Sequence, residues 1–329
     1  MKRRVLAIAL MILSISIIIT TTIFALTPLG TETLSSLGLA SLAPTPTPIP
    51  PRPTPTPRPI LTVQGSPSPP TTDATASYLV DMDTGHVLED VNGEKPLPMA
   101  STTKIMTAVI AIQTGNLDQP VTIQQDAYNR VHADGGSSAE LVVGDTLPLR
   151  ELLYGMMLPS GDDAAVAIAD GLAGNRDNFV QRMNLFAHRL HLFQTHYANP
   201  DGLTLNDNFN DLQHYTTAAD LVRLTRYAMS IPLFAQIVHT QDHKLAPSAL
   251  HHAYDWQNTN TMLASYTGML GVKTGFTFAA GYCLVFAATR DGYHIVGVVL
   301  HSTSEGQRIK DVTALLNWGF ALPRRPPTL

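Results

Sequence analysis

Charge and sulfur are both scarce in this 329-residue sequence: charged residues make up 14%, and Cys283 is the only cysteine. One thiol excludes an intramolecular disulfide, and no second thiol or nearby histidine pair completes a zinc site around it. Stability must come from packing, for which 44% hydrophobic residues provide ample material. Cys283 sits in the apolar run from Gly281 to Ala288, where a free cysteine packs as a small hydrophobe. Beyond the N-terminus there is no basic cluster, and the net charge is -5. Nucleic acid is therefore not an expected partner, because its binders gather a basic face. Internal repeats are absent too, which leaves one enzyme-sized domain rather than a solenoid.

The N-terminus is built differently. Lys2, Arg3 and Arg4 form a cytoplasmic basic flank (1–4) ahead of an uncharged, mostly apolar stretch from Val5 to Leu26. A helix of that length spans a bilayer core of roughly 30 Å, with the basic flank inside. The apolar core is long and Ile23-Phe24-Ala25 fits a cleavage site poorly, so an uncleaved signal-anchor (5–26) is favoured over a removed leader. The remainder would then be extracytoplasmic. Residues 27–72 turn to Pro and Thr, with PTPTPIPPRPTPTPRP at the centre. Such a segment cannot form a regular backbone ladder and acts as a stiff spacer.

From 73 to 329 the pattern is that of a folded domain. ASYLVDMDTGHVLE contains two β-prone runs around Asp83-Thr84-Gly85, the signature of a hairpin at a sheet edge. After Pro98, apolar residues at Ile105, Met106, Val109, Ile110 and Ile112 predict a buried helix ending at Gly115. Three helical segments follow, LRELLYGMML, DDAAVAIADGLA and DNFVQRMNLFAHRL, with Asp162 or Asp163 expected to cap the second. GVKTGFTF, GYCLVFAATR and YHIVGVVLHS then read as strands, and DVTALLNWGF as a final helix. Strands from both ends of the domain around a helical block predict an α/β fold: a mainly antiparallel sheet flanked by helices, with an inserted all-helical lobe and a cleft between.

Ser101 and Lys104 stand three residues apart on a helical segment, so the amine reaches the hydroxyl. A serine needs a base to become a nucleophile, and a lysine in a dry pocket serves when its pKa is lowered. The S-x-x-K pattern by itself is expected about once by chance in a chain of this length. It gains weight from Ser160-Gly161-Asp162 and Lys273-Thr274-Gly275, which follow in the order of the S-x-x-K, S-D-N and K-T-G set. The K-T-G triplet opens a strand that can pair with an extended peptide, while its lysine attracts a C-terminal carboxylate.

With these motifs, YLVDMDTGHVL, MASTTKIMTAV, YANPDGL, NTNTML, AGYCL and LLNWGF, the chain from about Ala76 to Leu322 resembles the serine D-alanyl-D-alanine carboxypeptidases of the low-molecular-mass penicillin-binding proteins. The resemblance implies a β-lactamase/DD-peptidase-like fold and removal of the terminal D-alanine from peptidoglycan stem peptides, with β-lactams as covalent inhibitors. It implies Ser101 as the acylated nucleophile, Lys104 as its base and Ser160 as a proton relay to the leaving amine. Lys273, Thr274 and Arg308 would bind the substrate carboxylate. The backbone N–H groups of Ser101 and Phe276, the residue after Gly275, would form the oxyanion hole. No cofactor and no metal are implied; the histidine pairs His188/His191 and His239/His243 lack the glutamate of a zincin. Asn199 and Asp201 read as turn formers.

One position departs from the family pattern: Asp162 stands where asparagine is usual. A carboxylate beside Lys104 would hold the lysine as an ammonium, against its use as a base. Two escapes are a protonated Asp162 in a buried pocket, or an Asp162 paired with Lys273. A class A β-lactamase is disfavoured, because no glutamate occurs between Leu152 and Ser304 to activate a deacylating water. A DD-endopeptidase cutting cross-links stays open, as does a catalytically weak β-lactam-sensing module motivated by Asp162. Many relatives carry a further C-terminal β-rich domain; the sequence given ends soon after Phe320, so anchor and spacer are expected to take over positioning.

Overall fold

Alternation along three consecutive strands organises the molecule. In the computed structural model, which describes residues 66–204 and 213–323, β1 (Ala76–Asp81) and β2 (Val87–Val91) form the expected hairpin. The other three strands of the sheet come from the far end of the chain: β7 (Met269–Thr277), β8 (Gly281–Arg290) and β9 (Tyr293–Ser302). The order is β2-β1-β9-β8-β7, antiparallel throughout, so β2 and β7 are the two edges.

Because strand side chains alternate between faces, β8 feeds two separate cores. Leu284, Phe286 and Ala288 join Leu79, Ile295 and Val299 in packing against Val312, Leu315, Leu316 and Phe320 of the C-terminal helix Glu305–Ala321. Cys283, Val285 and Ala287 lie in the opposite core with the helical lobe. Cys283 is fully buried there, and burial pushes its thiol up to about 11. Each fully buried Leu or Phe contributes roughly 1.5–3 kcal/mol by removing apolar surface from water, so the two cores together hold the sheet rigid from both sides.

The lobe begins with α1 (Lys104–Thr114), which stops at Gly115 as the sequence predicts. After it come the short pair β3 (Pro120–Thr122) and β4 (Thr146–Pro148), with α2 (Gln125–His132) between them. Then α3 (Leu149–Met157), α4 (Asp162–Ala173) and α5 (Arg176–Arg189) match the three predicted helices. The predicted cap of α4 is not formed. Gly161 is the N-cap without a side-chain bond, and Asp162 and Asp163 are the first helical residues; Asp162 turns to Lys104 and Ser137, and Asp163 to Ala139 and to its neighbour Ala164. α6 (Ala218–Met229) and α7 (Pro232–His239) return the chain to the sheet, followed by a small hairpin of β5 (Asp242–Leu245) and β6 (Tyr254–Gln257). One-turn α8 (Met262–Ser265) precedes β7, and α9 is the C-terminal helix Glu305–Ala321.

The expected anchor at 5–26, its basic flank and most of the spacer lie outside the described residues. Among the described residues no helix is long and apolar enough to cross a membrane.

Candidate active site

The chain enters the site through a single 3-10 turn, Ala100–Thr103, ahead of α1. Ala100 has φ of 47°, a left-handed conformation that costs a non-glycine residue free energy and persists only where the surroundings fix it. Those surroundings are visible. Thr102 Oγ1 donates to the Met99 carbonyl (2.6 Å) and Thr103 Oγ1 to the Ala100 carbonyl (2.8 Å). Ala198 N–H donates to His214 Nδ1 (3.0 Å), which leaves the proton on Nε2 to donate to Thr103 Oγ1 (2.7 Å). Burial lowers the His214 imidazole to about 4, so it is neutral. Gly202 packs so close that a Cβ there would stand 1.9 Å from the Ala100 carbonyl oxygen.

Ser101 is presented by this turn and Lys104 by the first residue of α1. Lys104 Nζ lies 2.9 Å from Ser101 Oγ and 2.9 Å from the Asp201 carbonyl oxygen, and its third contact is the Asp162 carboxylate. Lys104 is fully buried and Asp162 nearly so. Burial raises the Asp162 carboxyl to about 6, against the lowering influence of the Lys104 charge. Its other oxygen accepts from Ser137 N–H (3.0 Å). Of the two escapes expected for Asp162, pairing with Lys273 is therefore overturned: the carboxylate sits on Lys104. Lys273, also buried, donates to the Thr274 carbonyl (3.1 Å) and is held well below the usual lysine range by burial and by the Lys104 charge.

Asn199 and Asp201 shape the turn as expected, with Asn199 Oδ1 accepting from Gly202 N–H (2.6 Å). Asp201 does more than turn the chain. Its carboxylate takes Arg130 in a two-pronged pair (2.9 and 2.7 Å), fixing the carbonyl that faces Lys104.

Above these buried charges lies a cleft of about 330 Å³. Ser101, Ser160, Thr274, Gly275, Phe276 and Arg308 all line it, while Lys104, Asp162 and Lys273 do not line it and stay buried, Lys104 reaching it through Ser101. Ser160 is held in a left-handed conformation (φ 69°), and its carbonyl accepts from Ser137 Oγ (2.7 Å). Gly275 explains why β7 can run alongside Ser101: a Cβ there would lie 3.1 Å from the Ser101 nitrogen. Arg308, in the first turn of α9, is buried, with Nη1 on the Cys283 carbonyl (3.3 Å) and Nη2 on Glu305 (3.0 Å).

Five further residues line the cleft without having been singled out from sequence: Ser137, Pro159, Thr259, Tyr282 and Glu305. Thr259, in the NTNTML word, bonds Thr274 Oγ1 at 2.7 Å, and Tyr282 lies in AGYCL, so both carried a signal. Ser137 and Glu305 carried none. The paired histidines prove separate from the cleft: His188 and His191 both pack edge-on to Phe193. Among the described residues no three His, Cys, Asp or Glu gather as a metal site.

A sheet-and-lobe fold with a lysine-contacted serine beside a K-T-G edge strand defines an acyl-transferring serine enzyme of the penicillin-binding type. Residues 63–304 match the family of D-alanyl-D-alanine carboxypeptidases, peptidase S11, and the chain belongs to that family. A D-alanyl-D-alanine carboxypeptidase of Streptomyces strain K15 is 40% identical over 265 residues, 77% of this chain and 89% of the relative. Carboxypeptidase DacF of Bacillus subtilis is 31% identical over 76% of this chain, which spans 62% of that relative's length. The crystal structure of the Streptomyces K15 DD-transpeptidase superimposes with a TM-score of 0.72 at 39% identity, covering 78% of this chain and all of that one.

Proposed function

We propose that this serine peptidase removes the C-terminal D-alanine of peptidoglycan stem peptides through an acyl-enzyme on Ser101. The observation that carries the assignment is the 2.9 Å contact of Ser101 Oγ with Lys104 Nζ where Ser101 lines the cleft. As an ammonium, Lys104 has three donors, and Ser101, Asp162 and the Asp201 carbonyl use all of them. It accepts the serine proton only after losing one. The Asp162 carboxylate is the group beside it able to hold that proton, and its raised pKa supports the exchange. The neutral amine then takes the Ser101 proton as Oγ attacks the carbonyl of the penultimate D-alanine.

The developing oxyanion meets the N–H groups of Ser101 and Phe276. Thr274 and Arg308, with the field of Lys273, hold the terminal carboxylate, which would displace Glu305 from Arg308. Ser160 passes a proton to the departing D-alanine amine, and water hydrolyses the ester. β-Lactams acylate Ser101 and persist, because the stretch from Leu152 to Ser304 holds no glutamate to speed deacylation. Residues 5–26 anchor the enzyme in the membrane as a single pass, 1–4 stay cytoplasmic, and 27–72 hold the catalytic domain 73–329 outside; cleavage after the anchor would release it as a secreted protein.

The test is release of free D-alanine from L-lysyl-D-alanyl-D-alanine, beside fluorescent penicillin labelling. Ser101→Ala is expected to abolish labelling and to lower release at least about 10³-fold. Release that survives the substitution would sink the assignment.

A further inference from the structure

Immediately beside the catalytic cleft lies a larger groove, of about 530 Å³, that the reaction described above does not use. One wall is a single face of α2: Gln125, Tyr128 and His132, spaced three and four residues apart. The other is the loop from Ser138 to Val143, with Glu140 and Val142 prominent. The two chambers share that loop, since Ser137 lines the cleft and its neighbour Ser138 lines the groove.

The loop is built to be rigid. Buried Asp163 accepts from the N–H groups of Ala139 (2.9 Å) and Leu141 (3.3 Å), and Trp256 Nε1 donates to the Ala139 carbonyl (2.9 Å). Between those anchors Glu140 is forced into a left-handed conformation, φ 58°. A strained, exposed, charged residue on a pinned loop points to a use for the carboxylate rather than to packing. Tyr128 is exposed, its ring 3.9 Å from that of His132 and tilted 30° to it, and exposed Val142 also lines the groove. Among the residues lining the groove Glu140 is the one carboxylate and there is no lysine or arginine, and the one Lys or Arg of residues 124–145, Arg130, is taken by Asp134 and Asp201.

We propose that this groove binds a primary ammonium carried on an aliphatic stem, the side-chain chemistry of a basic residue preceding the two D-alanines of the substrate. The stem lies on Tyr128 and Val142, the ammonium meets the Tyr128 face and the Glu140 carboxylate. This deepens the assignment above and rests on it for the identity of the peptide. An extended peptide advances about 3.4 Å per residue, and the consecutive residues Ser137 and Ser138 join the cleft to the groove that an upstream side chain would enter.

The experiment compares Nα-acetyl-L-lysyl-D-alanyl-D-alanine with the same peptide acetylated on both amines. In Glu140→Gln and in Tyr128→Leu, KM for the free-amine peptide is expected to rise about fivefold at constant kcat, with no change for the diacetylated peptide. Equal changes for both peptides, or none, would overturn the groove. A second measurement is independent of turnover: shifts of the Tyr128 and His132 resonances on titration with Nα-acetyl-L-lysinamide. Shifts that Glu140→Gln removes support the site even where no D-alanine is released, which would indict the peptidase assignment alone. Absence of shifts in the unaltered chain overturns the site.

Discussion

The two faces of the sheet are built on opposite terms. Toward α9 the interior is an apolar cluster, Leu79, Leu88, Phe286, Ile295, Val299, Leu315, Leu316 and Phe320, with buried Arg308 and Asp311 near the start of the helix. Toward the lobe the buried polar residues include Lys273 of β7, Lys104 of α1, Arg130 of α2, Asp162 and Asp163 of α4, Asp201 and neutral His214. Burying an ion costs free energy unless it is paired and hydrogen-bonded, so on the lobe face Asp162 pairs with Lys104, Asp201 pairs with Arg130 and turns its carbonyl to Lys104, and Asp163 is held by backbone N–H groups. The α9 face supplies stability that the lobe face then spends on holding charges where chemistry can use them.

That contrast breaks most visibly at Phe286. Phe286→Ala is expected to lower unfolding free energy by about 3–5 kcal/mol, read by denaturant titration, with kcat per folded molecule unchanged. A loss of kcat would mean that the apolar face also tunes the site. His214 is the next test. Its folded pKa, about 4, lies below the ordinary 6.5, so protonation favours the unfolded chain. The stability it contributes is complete above pH 6.5 and falls as the pH drops toward 4, by about 3 kcal/mol in all. His214→Gln should flatten that part of the pH–stability curve, and an unaltered acid limb would show that other groups drive it.

The smallest expected effect is the most specific. Asp162→Asn removes the anion that keeps Lys104 an ammonium, while Lys273 remains nearby to disfavour a second cation. The rise of kcat/KM with pH should move to lower pH by about one unit, with penicillin labelling retained. A profile that does not move would separate Asp162 from the proton chemistry and leave it a structural contact.

Much of the apolar face was legible in sequence, because alternation along β8 and β9 and the periodicity of α9 are local patterns. The serine, its lysine and the K-T-G strand were legible as words. What escaped were pairings across the chain. Nothing near Arg130 announces that it will meet Asp201, and His214 gives no sign of supporting Thr103. The expectation that Asp162 or Asp163 caps α4 failed for the same reason: local capping logic was overruled by Lys104 and Ser137 for one, and by Ala139 and Leu141 for the other. Asp162 had also been allowed a pairing with Lys273, and only the packing of α1 against α4 decides for Lys104.

The position of β7 has a bearing on solubility. As an edge strand paired only with β8, it presents unpaired backbone groups, the usual starting point for strand exchange between copies. Here Val238 of α7 crowds Gly271 at one end, and the turn around Ala100 and Ser101 crowds Gly275 near the other. Both contacts narrow the free edge, and backbone covered in this way is less open to a second copy of the strand.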